Sequence, residues 1–185
     1  MSSSGAPIPP NWRDVRRLEI PINDHLTQAP ASSAVDSVAA VLEEQTQQTI
    51  DDWYLRLRSE ELPEGSVTNK EARSSHLPDL FHELIYRLRH PAGLGAGPRV
   101  SKAAAAHGLL RLKQGYSAAV LIEESRCLQV SIFNTLNANT HRIDFNRLLP
   151  DVMIIADEVD AQLAMAMASY TSGGALTSVL PVAPA

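Results

Sequence analysis

The sequence predicts an all-α protein, a helical bundle of four main helices, with a globin-like arrangement as the alternative. Between residues 34 and 171, apolar residues recur at a helical spacing, and no segment alternates in the manner of a strand. The interruptions fall at clusters of Gly and Pro, where helices end. Periodicity sets the number of helices but not their crossing angles, so the globin-like alternative stays open.

Each predicted helix has an apolar stripe and a recognisable boundary. Leu62-Pro63-Glu64-Gly65 stops the first helix, and Pro78 is tolerated because it falls in the first turn of the second. A Gly- and Pro-rich loop at 91–98 precedes the third helix, and Pro150 marks a kink or a short preliminary turn in the fourth. The four helices are predicted over about residues 35–59, 75–89, 101–138 and 144–170.

The two ends of the chain differ in composition from the middle. Residues 1–33 are rich in Ser, Pro and Ala, which bury too little surface to offset the entropy of ordering. We expect them to form a disordered or loosely docked arm, followed by a helical domain over 34–171. Ser172-Gly173-Gly174 and two later prolines predict that 172–185 is a flexible tail.

Composition and charge restrict the class of protein. A chain of 185 residues allows one domain of ordinary size, and its net charge of −5 disfavours binding to nucleic acid. The single cysteine, Cys127, cannot form an intramolecular disulfide. The N-terminus has no apolar signal core, and no apolar run approaches the roughly 18 residues that span a bilayer. These features predict a cytoplasmic protein without a membrane segment.

The third predicted helix contains an unusual acidic residue. If it is continuous, Glu123 lies on the same stripe as Leu112, Tyr116 and Val120, where an unpaired carboxylate is costly. We therefore expect Glu123 to be buried and paired with Arg111, Arg126 or a histidine. The same helical phase places a narrow solvent-facing side at Lys113, Ser117, Glu124, Ser131 and Thr135.

A polar network is the candidate site. Glu123 with Arg126, and His107 with Arg111, have the three- and four-residue spacings that let side chains touch on a helix. Acidic residues of the fourth helix could reach across to them. The network is either a salt-bridged interior that fixes helix register or the wall of a ligand pocket. Its predicted members are His107, Arg111, Tyr116, Glu123, Arg126 and Asp157.

The fourth predicted helix has a second, weaker apolar stripe nearly opposite its main one. Two apolar faces imply two packing partners. One partner is the core of the bundle, and the other is either a second subunit or another helix of the same chain. The homodimer hypothesis assigns this interface to Ile154, Ala161, Met165 and Ala168.

The sequence carries no catalytic motif, so we expect a non-enzymatic protein with no catalytic residues. No nucleophile elbow and no phosphate-binding loop after a strand is present. A di-iron bundle needs Glu-x-x-His on two helices, whereas the nearest match, Asp79-x-x-His82, occurs once. We therefore expect no metal and no cofactor. The alternative is a sensor that binds haem, through His82 or His107, or a metal or small molecule.

Several short motifs resemble the N-terminal sensory domain of the RsbRD type, over about residues 38–170. That domain is the input module of bacterial stress-signalling co-antagonists and of some histidine kinases. The third predicted helix carries the most specific part of the resemblance. The similar segments are Ile50-Asp-Asp-Trp53, His76-Leu-Pro-Asp-Leu, Ala106-His107-Gly108-x-x-Arg111, Gln114-Gly115-Tyr116 and Glu123-Glu124-x-Arg126.

The resemblance implies an input domain that perceives a signal or a partner protein and passes the response to an output module. Family members usually continue the last helix into that module, whereas this sequence has Ser172-Gly173-Gly174 and a Pro-containing segment there. The departure predicts a domain that acts alone through protein contacts, or a stand-alone relative with another role. No signal molecule of the family can be transferred to this chain.

Overall fold

A computed structural model of the chain describes residues 36–59, 69–95 and 100–179, all within one compact unit. The predicted arm at 1–33 and residues 180–185 of the predicted tail lie outside this part of the chain. The described residues are helical and contain no strand, which confirms the all-α class. The helices are α1 (Val38–Glu44), α2 (Thr46–Ser59), α3 (Lys70–Ser74), α4 (Leu77–Arg89), α5 (Lys102–Lys113), α6 (Ala118–Ala138) and α7 (Phe145–Val179), with a 3₁₀ turn at Thr140–Arg142.

Side-chain caps explain where most of these helices begin. The side chains of Ser37, Asn69, Ser101 and Ser117 each accept a hydrogen bond from a backbone N–H of the first turn of α1, α3, α5 and α6. Such caps satisfy donors that have no partner inside the helix. α4 instead begins with Pro78 in its first turn, as the sequence predicts.

The predicted third helix over 101–138 is wrong as a single element, because the chain turns between Lys113 and Ala118. Gly115 adopts a positive φ of 76°, which an L side chain rarely tolerates, and its N–H donates to the Leu112 carbonyl. Ser117 then caps α6. The turn separates the helical phase of α6 from that of α5. The predicted solvent-facing side is therefore also wrong, since Glu124 and Ser131 are buried.

Three smaller differences concern the other helices. The first predicted helix is divided at Gln45 into α1 and α2, and the short helix α3 precedes the second. The predicted end of the last helix at Ser172 is wrong, because α7 runs on to Val179. Gly173 packs in this extension, where a Cβ would meet the side chains of Leu109 and Leu112. The local sequence predicts that the helix ends at Ser172. In the structure α7 continues past this point, and there it packs against α5.

The core lies between α1, α2, α4, α6 and the middle of α7. Trp53 is fully buried at its centre, and α2 packs against α6 while α5 packs along α7. These pairings bring one end of α5 and the first half of α6 next to α3 and the start of α4. The polar interior described next lies at that junction.

Candidate functional site

The site is organised around the buried carboxylate of Glu124, which is only 2% exposed. Arg111 of α5 donates from Nε to Oε2 at 2.8 Å, and Arg73 of α3 donates from Nε to Oε1 at 3.3 Å. Both arginines are themselves buried. Because an unpaired buried charge is expensive, the three side chains hold α3, α5 and α6 in one arrangement.

The remaining nitrogens of Arg111 are also engaged. Nη1 donates to Oε1 of Gln114 at 2.7 Å, and Nη2 donates to the backbone carbonyl of Arg73 at 2.6 Å. The guanidinium carbons of Arg111 and Arg73 lie 5.1 and 5.3 Å from the centroid of the Tyr116 ring. An aromatic face at this distance attracts a cation. Tyr116, just after the turn that ends α5, therefore forms a cation–π contact with each arginine.

Trp53 links α2 to the same cluster. Its indole Nε1 donates to the backbone carbonyl of Glu124 at 2.9 Å. Its ring meets the His76 imidazole edge to face, with centroids 6.2 Å apart. A buried indole N–H needs such a partner, since leaving it without one costs a full desolvation penalty.

Two stacked imidazoles complete the cluster, and His107 is buried whereas His76 is half-buried with its Nδ1 enclosed. The rings of His76 and His107 are 3.8 Å apart and within 9° of parallel, and Nδ1 of each is buried with no hydrogen-bond partner among the described residues. Burial, followed by the nearby Arg111 charge, lowers the pKa of His107 to about 3. Burial, then His107 and Arg111, holds the pKa of His76 well below its ordinary value. Both rings are therefore neutral at pH 7.

The contact between His107 and the carboxylate is longer than a hydrogen bond. His107 Nε2 lies 3.7 Å from Oε2 of Glu124. With both imidazoles neutral, the described residues of the cluster hold two guanidinium charges and one carboxylate, and their sum is one net positive charge. The Tyr116 ring is the polarisable group that faces this excess charge.

A small cavity adjoins the imidazoles, with a volume of about 30 Å³ open to the centres of water molecules. It has room for a water-sized occupant. The polar residues on its wall are His76, His107, Glu124, Ser125 and Gln162. Gln162 donates to the Leu80 carbonyl at 3.2 Å. Most of the remaining wall is apolar, including Leu77, Leu121, Leu128, Val159 and Ala166.

The structure divides the six predicted site residues into two groups. His107, Arg111 and Tyr116 belong to the buried cluster. Glu123 does not: its side chain is 38% exposed and pairs at 2.6 Å with Arg126, which is also on the surface. The prediction of a buried Glu123 is wrong because it assumed one helical phase through the turn at 114–117. Asp157, on α7, interacts with Arg87 instead.

Sequence reasoning missed Arg73, Glu124 and His76 as members of the cluster. Glu124 was assigned to the opposite side of the helix, and Arg73 precedes the predicted start of the second helix. A signal for the turn was present, because Gly115 followed by Ser117 combines a helix-ending glycine with a helix-starting serine. Restarting the helical phase at Ser117 brings Glu124 inward with Val120, Cys127 and Leu128.

A second ionic group lies on the α4–α7 side of the molecule. The buried side chain of Arg87 approaches Asp157 at 3.4 Å and Glu158 at 3.9 Å, and donates to the Gly93 carbonyl at 3.3 Å. Asp157 also accepts from the backbone N–H of Gly95 at 3.1 Å. This group ties the loop after α4 to the middle of α7.

The residues predicted for a dimer face are divided between the interior and the surface. Ile154 is buried in this chain's core, so its assignment to a dimer face is wrong. Met165 packs partly against the core, Ala161 is half-buried and Ala168 is exposed. Over residues 145–174 of α7, whose side chains are described, the large exposed apolar residues are instead Phe145, Leu149 and Met153, which are 79%, 68% and 49% exposed.

Two further properties concern metal ligation and membrane insertion. Within residues 36–59, 69–95 and 100–179, no group of three His, Cys, Asp or Glu side chains is placed to hold a metal ion. In the same part of the chain, no helix has the length and hydropathy required to cross a bilayer.

Comparisons with known proteins found no matching family model, no matching curated protein and no matching solved structure. The resemblance to the RsbRD-type domain therefore rests on the motif residues of the sequence alone.

Proposed function

We propose that this chain is a non-enzymatic sensory domain of the RsbRD type that acts through protein contacts. The observation that carries the proposal is the convergence of the motif residues. Segments separated by up to about 70 residues meet around the single carboxylate of Glu124. They contribute Trp53, His76, His107, Arg111, Gln114 and Tyr116.

The cluster is better suited to conformational coupling than to catalysis. Its charged atoms are buried and engaged with one another, whereas a reacting group needs access to its substrate. Pairing Glu124 with arginines from two other helices makes the position of α3 dependent on α5 and α6. Such a connection can carry a change at one surface to another when the packed elements have two arrangements.

The protein that binds the exposed apolar face at the start of α7 would be a second copy of this chain. Phe145, Leu149 and Met153 are spaced by four residues and therefore lie on one side of the helix. Contiguous exposed apolar surface of this kind is typical of protein interaction sites. We assign this face to a homodimer contact.

Sedimentation equilibrium at micromolar concentration tests the assignment. The wild-type protein should have twice the mass of one chain, and Leu149→Asp should reduce it to that of a monomer without loss of helical circular dichroism. Leu55→Asp is the matched control, because Leu55 is an equally exposed leucine on α2. A wild-type monomer would remove the homodimer from the proposal, and a monomeric Leu55→Asp variant would remove the assignment of its interface to the α7 face.

A ligand-binding sensor is the second candidate, favoured by the cavity beside the two imidazoles. Its volume of about 30 Å³ suits a water-sized molecule and is far below the roughly 300–1,000 Å³ of sites for larger ligands. Haem would therefore need a different arrangement of α4 to α6. An absorption spectrum and metal analysis of mildly purified protein distinguish the candidates, since a Soret band or stoichiometric metal would favour this sensor.

A further inference from the structure

Helix α3 and the residues that follow it reach the interior through two side chains. α3 is five residues long, and Ser75 and His76 connect it to α4. Arg73 pairs with Glu124 at 3.3 Å, and His76 stacks on His107. The segment 70–76 thereby closes the cluster on the side of α3.

The other attachments of this segment are few among the described residues. Lys70 pairs with Asp51 at 2.7 Å, but both side chains are partly exposed, and such pairs contribute little to stability. The backbone carbonyl of Arg73 accepts from Arg111 at 2.6 Å. Among the described residues, the attachment of segment 70–76 therefore depends mainly on the buried Arg73 and the half-buried His76.

The groups facing His76 make a charged imidazole unfavourable there. α5 contributes His107 and the Arg111 charge, α6 contributes Glu124 behind His107, and the adjoining α3 contributes Arg73. The cluster already has one net positive charge, so a proton on His76 would add a second. α2 presents the uncharged Trp53, and the cavity residues of α7 are the uncharged Val159, Gln162, Leu163 and Ala166.

We propose that segment 70–76 is an acid-released clasp, which opens when His76 moves into water and takes up a proton. The proton comes from solvent and binds an imidazole nitrogen of His76. The resulting imidazolium cannot return to the site beside Arg111 without losing its proton. Opening uncovers Glu124 and the stacked face of His107. The clasp goes beyond the proposed function, because it is a conformational change of this chain alone. Its opening can therefore be measured without a partner protein.

The size of the pH effect on opening follows from the difference between the pKa of His76 in the closed segment and its pKa in water. Burial, with the adjacent His107 and Arg111, holds the pKa of His76 well below its ordinary range, whereas a hydrated imidazole has a pKa of about 6.5. The equilibrium constant for opening should then rise by about tenfold between about pH 7.5 and 5.5 for each imidazole that becomes hydrated.

Amide hydrogen exchange measured by NMR tests this on the full chain. The Arg73 N–H donates to the Asn69 carbonyl at 3.2 Å within α3. A helix of five residues is not stable without its packing, so α3 should unwind on release and this amide then reports the opening. After correction for intrinsic exchange rates, the opening constant in the wild type should rise at least about tenfold over that pH interval. A constant independent of pH would overturn the clasp. So would an Arg73 amide that exchanges no faster than the amides of the α6 core, because the opening would then be global.

His76→Phe separates the clasp from other acid effects. Phenylalanine keeps a ring to stack on His107 and loses no hydrogen bond at the unpartnered Nδ1. In this variant the rise of the opening constant between about pH 7.5 and 5.5 should be about tenfold smaller than in the wild type. His82→Phe, on the exposed side of α4, should show the same rise as the wild type. Full pH dependence in His76→Phe would overturn the proposal.

A second measurement needs no substitution. In the wild type, the ring-proton shift of His76 should keep its neutral value at pH values where an unstructured histidine peptide has already titrated. A His76 ring that titrates together with the peptide would overturn the clasp. Both results are independent of the oligomeric state and therefore of the dimer test.

Discussion

At the scale of single residues, two adjacent glutamates have opposite roles. Glu124 is enclosed by Arg73 and Arg111, whereas Glu123 forms a solvent-exposed pair with Arg126. The difference comes from one step of about 100° around α6. This rotation places the Glu124 carboxylate, and not that of Glu123, where α3 and α5 can pair with it.

This contrast gives a matched pair of variants. Glu124→Gln leaves two buried arginines without their counter-ion and should lower the free energy of unfolding by about 3–5 kcal/mol. Glu123→Gln should lower it by less than about 1 kcal/mol, because exposed pairs are weak. Urea unfolding at pH 7 measures both. Equal losses in the two variants would show that Glu124 is not the centre of the buried network.

At the scale of the helices, the closest contact is the crossing of α5 and α7 at Gly108. A Cβ built on Gly108 would lie 2.0 Å from the carbonyl oxygen of Ala166. Backbone atoms of a packed helix cannot move aside as a flexible side chain can. The absence of a side chain at Gly108 therefore permits the approach of the two helices.

Gly108→Ala should destabilise the protein even though alanine favours helix formation. We expect a loss of about 1–3 kcal/mol or more from overpacking. Gly174→Ala is the control within α7, since a Cβ there meets no atom of the described residues within 4 Å, and it should be neutral or stabilising by up to about 1 kcal/mol. Thermal unfolding measures both variants. A Gly108→Ala protein as stable as the wild type would disprove the close crossing.

The helices also show what the sequence can and cannot predict. Periodic apolar residues predict the helical class because burial of one face is a local, repeating requirement. The phase of α6 was mispredicted because the turn at Gly115 resets it, and every inward residue after that depends on the reset. Arg73 could not be assigned to the site, since nothing near it in sequence indicates that α3 faces Glu124. Such long-range pairings arise only from the packing of whole helices.

At the scale of the whole molecule, stability should depend on pH through the stacked pair His76 and His107. A histidine whose pKa is lowered by folding binds its proton more readily in the unfolded chain. Its contribution to stability is therefore complete above a pH of about 6.5 and declines as the pH falls toward its folded pKa. For His107 that window runs from about 6.5 down to about 3. His76 contributes with the same sign.

Carboxylates act mainly in a lower window. Pairing with Arg89 lowers the pKa of Glu43, and pairing with Arg142 lowers that of Glu44, so their contributions are lost as the pH falls below about 4.5. Burial raises the pKa of Asp151, which favours the folded state as the pH falls. Between pH 7 and 5, the change in the free energy of unfolding should therefore come mainly from the two histidines.

Within that interval we expect the free energy of unfolding to fall by about 2 kcal/mol for each imidazole of the pair that stays neutral in the folded protein, and so by up to about 4 kcal/mol in total. Urea midpoints at about pH 7, 6 and 5 measure the change. The double variant His76→Phe with His107→Phe should lose most of this dependence, while His82→Phe, which changes an exposed ring, should retain it. If the wild type is as stable at pH 5 as at pH 7, the two imidazoles are hydrated in the folded protein. The stacked pair would then not be part of the interior.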